Sequence, residues 1–265
     1  YKLIDIGMPT LIELPEIDDC AGLCRELSLQ FIELNMNLPQ YQVNTIDLVK
    51  FKEIAAKHKI YYTIHLDENL NVSDFNPFVS EAYRHTVRET IKMARYLDIP
   101  VLNMHLSKGV YFTLPDRKIF LFDVYKEQYL QSICAFRNEC EKAVDQNNMK
   151  ICIENSNGYA DFQRLALDRL LESPVFALTF DIGHNHGTGH VDESTLLNYR
   201  DKLHHFHFHD AAGRKDHLAL GTGEIDLQKY FCLASQYGRR IVLETKTVAG
   251  LRQSVEWLKS HAFKV

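Results

Sequence analysis

The sequence lacks both a large excess of one charge and a long hydrophobic run. Its 30 lysines and arginines stand against 35 aspartates and glutamates, a net charge of −5. A broad nucleic-acid surface needs a basic excess, so the charge balance argues against a nucleic-acid partner, while a local basic groove stays open. No apolar run approaches the roughly 18 residues that span a bilayer. The first stretch carries Asp5 and Glu13, whereas a signal peptide begins with basic residues. We therefore expect neither a signal peptide nor a membrane segment.

Cysteine is sparse and follows no pattern. Six cysteines are spread over 265 residues, and no two have the Cys-x-x-Cys spacing of zinc knuckles. A disulfide framework is typical of short secreted chains with many cysteines. We therefore expect free, mostly buried thiols and a cytoplasmic location.

Glycine-rich phosphate loops are also missing. The turn after the first predicted strand, Gly7-Met-Pro-Thr10, is not a GxGxxG motif, and the sequence contains no Walker motif. This argues against a doubly wound open sheet. No repeat, low-complexity tract or Pro/Gly linker divides the chain. We expect residues 1–265 to form a single domain.

Eight short runs of β-branched or aromatic residues alternate with longer stretches of helical spacing. These predicted strands are residues 3–7, 31–34, 61–65, 101–105, 151–154, 177–181, 205–209 and 241–244. Between them, apolar residues in steps of three and four, such as Val87, Ile91 and Ala94, mark the buried face of a helix. Eight such units in about 250 residues are typical of a closed (β/α)8 TIM barrel, and we predict that α/β fold.

Polar side chains stand at or near the carboxyl ends of the predicted strands. From the second strand to the eighth they are Glu33, His65, His105, Glu154, Asp181, His207 with His209, and Glu244. In a parallel barrel these ends converge on one rim, where barrel enzymes carry their chemistry. Period-two alternation predicts that the histidines of 205–209 face the interior while Phe206 and Phe208 face the helices.

Carboxylates and imidazoles crowded at one end of the barrel would repel one another or need protonation unless a cation lay among them. A divalent metal ion would supply that positive charge. The best candidates come from four different strands: Glu154, Asp181, His207 and Glu244. Eight of the 13 histidines also fall between His184 and His217. Among them, His184 follows a strand-end carboxylate by three residues, within reach of the same site.

At these positions the sequence resembles the xylose isomerase-like barrel superfamily, which holds sugar isomerases and epimerases as well as endonuclease IV. The motifs are Ile153-Glu154-Asn155, Phe180-Asp181-Ile182-Gly183-His184, His207-Phe208-His209-Asp210, Leu220-Gly221-Thr222-Gly223 with Ile225-Asp226, and Leu243-Glu244-Thr245. Together they cover the C-terminal half in order. The N-terminal half matches more loosely, through His65 and His105.

The resemblance implies a sugar or sugar phosphate isomerase or epimerase that depends on a divalent metal. The metal would be held by Glu154, Asp181, His207 and Glu244, and Mn²⁺, Mg²⁺, Co²⁺ and Zn²⁺ all suit such ligands. In the family's epimerases two glutamates on opposite faces of the sugar exchange a proton at carbon through an enediolate. Here that pair would be Glu154 and Glu244. The remaining expected substrate contacts are His184, His217 and Arg214.

The main alternative is a zinc-dependent phosphodiesterase or abasic-site endonuclease like endonuclease IV. His65 and His105 fall where that enzyme's first-site histidines would be, with Glu154 bridging to a second metal. Its third site needs Asp-x-His before the Leu-Gly-x-Gly turn, and this sequence has Lys215 where the aspartate belongs. The loop 67–78 also carries three acidic residues and no lysine or arginine, which would repel a phosphate backbone.

Two further interpretations stay open, a lyase of the inosose dehydratase type and a barrel that binds without turnover. The sequence leaves undecided which sugar is bound, whether it is phosphorylated, and how many metal ions are held. Pairing into a homo-oligomer through the outer helices is equally open.

Overall fold

A computed structural model of the chain describes residues 4–213, 215–237 and 240–261. Eight parallel strands close into a barrel in the order β1-β12-β9-β8-β7-β4-β3-β2. The barrel strands are β1 (Asp5–Pro9), β2 (Phe31–Asn35), β3 (Tyr61–His65), β4 (Val101–His105), β7 (Lys150–Glu154), β8 (Phe176–Asp181), β9 (Leu203–Phe208) and β12 (Arg240–Leu243). The predicted (β/α)8 fold is confirmed.

Helices connect the strands and surround the barrel. They are α1 (Ile17–Glu26), α2 (Leu48–His58), α3 (Pro77–Tyr96), α4 (Leu121–Val124), α5 (Lys126–Val144), α6 (Asp161–Leu171), α7 (Ile182–Gly187), α8 (Glu193–Asn198), α9 (Leu227–Tyr237) and α10 (Val248–Ser260), with short 3-10 turns at Pro39–Tyr41 and Arg200–Lys202. Several helices begin at residues whose side chains accept backbone N–H groups. Asp47 does so for α2, Asn76 for α3, where Pro77 follows, and Thr247 for α10.

The core lies in the layer between the strands and the helices. Phe206 packs beside Phe180 of the next strand with ring centres 6.1 Å apart, and Phe208 lies 4.6 Å from Phe231 of α9. His205 and His207 alternate with them and are fully buried. The inward and outward faces predicted for this strand are therefore confirmed.

Two short antiparallel hairpins interrupt the strand and helix alternation. One joins β5 (Tyr111–Thr113) to β6 (Lys118–Phe120), and the other joins β10 (Asp210–Ala212) to β11 (Lys215–Leu218). Sequence periodicity did not predict them because three or four residues are too few for a period to show. The second hairpin leaves the end of β9 and carries His217 back toward the barrel mouth.

All six cysteines lie in the described ranges and are free thiols. None of the helices that the structure describes has the length and apolarity needed to cross a membrane.

Candidate functional site

A cavity of about 720 Å³ opens at the carboxyl ends of the barrel strands. Its lining is strongly polar, and the side chains with titratable groups are His65, Glu68, His105, Glu154, His184, Lys215, Asp216, His217, Glu244 and Lys246. Strand register explains why they meet. His105 is paired with Glu154 across β4 and β7, and Asp181 is paired with His207 across β8 and β9. Paired residues on neighbouring parallel strands point their side chains to the same side of the sheet, so these side chains lie close together.

The four predicted metal ligands form one buried cluster. Glu154, Asp181, His207 and Glu244 each offer a ligand atom, and these atoms lie within 4.8 Å of one another. Nδ1 of His207 lies centrally, 3.4 Å from Glu154 Oε2, 3.0 Å from Glu244 Oε2 and 3.8 Å from Asp181 Oδ2. Three carboxylates thus face one imidazole nitrogen in a buried cluster, of which the Glu244 side chain is the most exposed at 10%.

Unpartnered atoms in this cluster fit a divalent ion. Glu154 Oε1, both ring nitrogens of His207 and Glu244 Oε2 are buried and have no hydrogen-bond partner among the described residues. A buried polar atom without a partner is costly, and a coordinated cation removes that cost. Carboxylate oxygens with one imidazole are ligands that Mn²⁺, Co²⁺ and Zn²⁺ accept and that Mg²⁺ tolerates. The donor set therefore suits the predicted cofactor.

A pair of hydrogen bonds fixes the spacing of two members of the cluster. The Asn155 side chain donates to the backbone carbonyl of Asp181 and accepts from the Asp181 backbone N–H, both at 2.9 Å. Asn155 directly follows Glu154, so it ties the end of β7 to the end of β8. Asp181 Oδ1 then accepts the backbone N–H of His184 at 2.7 Å and begins α7. The motif residues thus hold Glu154, Asp181 and His184 in one unit.

A second cluster adjoins the first through Glu154. His65, His105 and Glu154 offer ligand atoms within 4.8 Å of one another. The Nε2 atoms of His65 and His105 lie 3.4 and 3.3 Å from Glu154 Oε2. The structure therefore brings together the residues that the sequence singled out for an additional metal.

The predicted substrate contacts line the same cavity where the structure describes them. His184 Nδ1 lies 3.3 Å from Glu154 Oε1, and His217 Nε2 lies 3.7 Å from Glu244 Oε1. Each imidazole thus stands beside one of the two glutamates. Arg214, the third predicted contact, lies outside the described residues.

Asp210 builds the turn beside His217. This buried carboxylate accepts four backbone N–H groups, from Ala211, Gly221, Gly223 and Ile225, at 2.9 to 3.2 Å. A Cβ at Gly223 would lie 2.3 Å from the Ala211 carbonyl oxygen and from the Asp210 side chain. The Leu-Gly-Thr-Gly motif is therefore a backbone wrap around Asp210, which leaves no room for a side chain at that glycine.

His209 has a different function from the other site histidines. Its Nδ1 accepts the backbone N–H of His217 at 2.8 Å, and its Nε2 lies 3.2 Å from Asp181 Oδ1. Because Nδ1 is an acceptor, Nε2 carries the proton and points it at Asp181. His209 thus links the loop of His217 to the metal-facing carboxylate, and both of its nitrogens are in use.

Burial and charge together set the ionisation of the site. Burial favours neutral carboxyls, but the His207 charge outweighs it and holds the pKa values of Glu154 and Glu244 well below their usual range. Burial also disfavours charged imidazoles, yet Asp181 and Glu154 raise the pKa of His184 to about 10. Glu154 likewise raises the pKa of His65 to about 9 against its burial. Without a metal, these groups form a network of buried ion pairs at neutral pH.

Sequence reasoning missed two side chains that contact the glutamates. Asn103 donates through Nδ2 to Glu154 Oε2, and Thr179 orients Asn103 by donating to its Oδ1 at 2.6 Å. Lys246 donates to Glu244 Oε1 at 2.9 Å. For Asn103 the available signal was period two, since it stands two residues before His105 on β4. Lys246 lies past the end of β12, where period two gives no signal.

Comparisons with known proteins agree with the barrel fold. The sequence model described as "Xylose isomerase-like TIM barrel" matches residues 21–261. An uncharacterized protein of Methanocaldococcus jannaschii is 24% identical over 247 residues, covering 89% of this chain and 86% of that protein. Among solved structures, a D-tagatose 3-epimerase-like protein superposes with a TM-score of 0.79 at 21% identity, covering 97% of both chains. A probable 3-DHS dehydratase from Bacillus anthracis, involved in petrobactin synthesis, superposes with a TM-score of 0.74 at 13% identity, covering 97% of this chain and 99% of that one.

At these identities the solved structures show the fold, while the family match extends from α1 to the end of α10. The chain belongs to the xylose isomerase-like TIM barrel family.

Proposed function

We propose that this chain, as one domain, is a divalent-metal-dependent isomerase or epimerase of a sugar or sugar phosphate. The observation that carries the proposal is the pair of glutamates on either side of His207. Glu154 and Glu244 come from opposite sides of β9, and each has one buried carboxylate oxygen without a hydrogen-bond partner among the described residues. A sugar in the cavity would therefore meet one carboxylate from each side.

Glu154, Asp181, His207 and Glu244 would hold the metal. When bound, a divalent ion would grip adjacent sugar oxygens and stabilise the negative charge that develops as a proton leaves carbon. The low pKa values of Glu154 and Glu244 keep both carboxylates ionised at neutral pH, ready to accept that proton. Asn103 donates to Glu154 Oε2 and so helps to fix the position of that carboxylate. His184 and His217, beside the two glutamates, would donate to sugar hydroxyls.

Solvent deuterium exchange tests this proposal directly. Protein purified without chelator or a His tag is assayed for metal by plasma mass spectrometry and then incubated in D₂O with a panel of free ketoses and ketose phosphates. We expect about one ion per chain and deuterium at one sugar carbon. Glu154→Gln and Glu244→Gln should each lower the exchange rate by about 10²- to 10⁴-fold. Exchange at the wild-type rate in either variant would contradict its assignment as acid or base.

A second candidate is a phosphodiesterase with more than one metal. The His65, His105 and Glu154 cluster favours it, because a glutamate shared between two ligand sets places two ions close together. Two or three zinc ions per chain, with hydrolysis of bis-p-nitrophenyl phosphate or cleavage of abasic DNA, would support it. His65→Asn with His105→Asn should then abolish hydrolysis, whereas an isomerase with a single metal would retain its deuterium exchange. Loss of water from the sugar after exchange would instead indicate a lyase.

A further inference from the structure

A carboxylate lies beneath the metal cluster, away from the cavity. Glu33 of β2 is 2% exposed and does not line the cavity. It has three close partners: Thr63 Oγ1 donates to Oε2 at 2.9 Å, His205 Nε2 lies 2.7 Å from the same Oε2, and His207 Nε2 lies 2.8 Å from Oε1. A buried carboxylate is expensive unless it is fully paired, so its presence in the barrel interior calls for an explanation.

The two oxygens of Glu33 face different partners. Thr63 and His205 both contact Oε2, from β3 on one side and β9 on the other. Their contacts fix the rotation of the carboxylate about its last bond. Oε1 is then directed at His207, the one neighbour that also belongs to the metal cluster.

This contact decides which nitrogen of His207 is available as a ligand. Nε2 of His207 lies 2.8 Å from Glu33 Oε1 without meeting hydrogen-bond geometry, so the carboxylate is a close charged neighbour that occupies this side of the ring. Nδ1 is then the nitrogen that faces Glu154, Asp181 and Glu244. A metal-binding histidine commonly has its other nitrogen fixed by such a carboxylate.

We propose that Glu33 is a positioning residue that holds His207 with Nδ1 directed at the metal cluster. The inference rests on the metal site of the proposed function. Glu33 does not line the cavity, so it would act on the metal site through its contact with His207. Thr63 and His205 act one step further away, by orienting Glu33.

The test compares zinc binding by the wild type with Glu33→Gln, Glu33→Asp and the control Thr63→Val. Glu33→Gln keeps the size of the side chain and removes its charge, and Glu33→Asp keeps the charge but withdraws it by one methylene. Thr63→Val removes one bond to Oε2, which His205 still holds. Affinity is measured by competition with a chromogenic chelator. Long-range ¹H–¹⁵N spectra of the zinc-loaded full chain, assigned with His207→Gln, show which nitrogen of His207 binds zinc.

We expect Glu33→Gln and Glu33→Asp each to weaken zinc binding by about 10- to 100-fold. Both should also lose the uniform Nδ1-bound signal of His207. Thr63→Val leaves the His205 contact to Oε2 in place, so it should weaken zinc binding less than either Glu33 variant and keep the Nδ1-bound signal. Unchanged affinity in both Glu33 variants would overturn the inference. So would weaker binding with Nδ1 still uniformly bound, because Glu33 would then act only as a charge.

The two proposals can fail separately. A wild type that binds no zinc would overturn the metal site itself and, with it, the position assigned to Glu33. A wild type that binds zinc tightly beside Glu33 variants that match it would overturn only the inference about Glu33. Melting temperatures of all variants identify any that fail to fold, and either Glu33 substitution suffices for the comparison.

Discussion

Replacing Gly183 with alanine should destabilise the protein through a single contact. A Cβ at this position would lie 1.9 Å from Cε1 and 2.2 Å from Nδ1 of His209, far inside van der Waals contact. His209 is fully buried and has little freedom to move away, because it accepts the His217 backbone N–H and points its Nε2 at Asp181. Alanine at 183 must therefore break at least one of these contacts.

The magnitude follows from two contributions. Forcing a methyl group into a packed interior costs about 1–3 kcal/mol, and each hydrogen bond that His209 loses costs about 1 kcal/mol. Together they lower the free energy of unfolding by about 3 kcal/mol, which at this chain length lowers the melting temperature by about 9 °C. Circular dichroism melts at a single pH measure the change.

Gly187 provides a matched control in the same helix. A Cβ there would have nothing within 4 Å among the described residues. Gly187→Ala should therefore leave the melting temperature unchanged or raise it slightly, since alanine restricts the unfolded chain. If Gly183→Ala melts like Gly187→Ala, then His209 moves freely and its assignment as a fixed link to Asp181 is wrong.

Two other perturbations have defined outcomes. Asp210→Ala removes the acceptor of four backbone N–H groups and should cost about 3 kcal/mol in urea unfolding. The control Asp226→Ala removes one such bond at the start of α9 and should lower the free energy of unfolding by about 1 kcal/mol. Equal losses of stability in the two variants would refute the assignment of Asp210 as the acceptor of four backbone N–H groups. After any bound metal is removed with EDTA, the raised pKa values of His65 and His184 add to the free energy of unfolding. This contribution is present in full below pH 6.5, and it is lost as the pH rises through about 9 for His65 and about 10 for His184. The metal-free melting temperature should therefore fall between pH 6.5 and about 10, and a flat profile would contradict the charged network.

The sequence predicted most of the barrel because period-two alternation and strand ends are local signals. The eight runs coincide with the eight barrel strands within two residues at most ends, and Glu154, Asp181, His207 and Glu244 meet as expected. Contacts across the barrel carry no such signal. Nothing in Phe31-Ile-Glu33 indicates that its carboxylate reaches His207, which lies on β9, with β1 and β12 between the two strands in the sheet order. The pairing of Asn103 with Glu154 likewise depends on the closed sheet.

The asymmetric support of the metal cluster bears on how it would accommodate ions of different radius. Asn155 locks the backbones at Glu154 and Asp181 together through two hydrogen bonds, so these carboxylates keep a fixed separation. Glu244 receives its side-chain hydrogen bond from Lys246, whose long stem can follow it. A larger ion would therefore be accommodated by displacement of Glu244. The mobility of this residue, at the end of β12, would then limit the range of ionic radii that the cluster can bind.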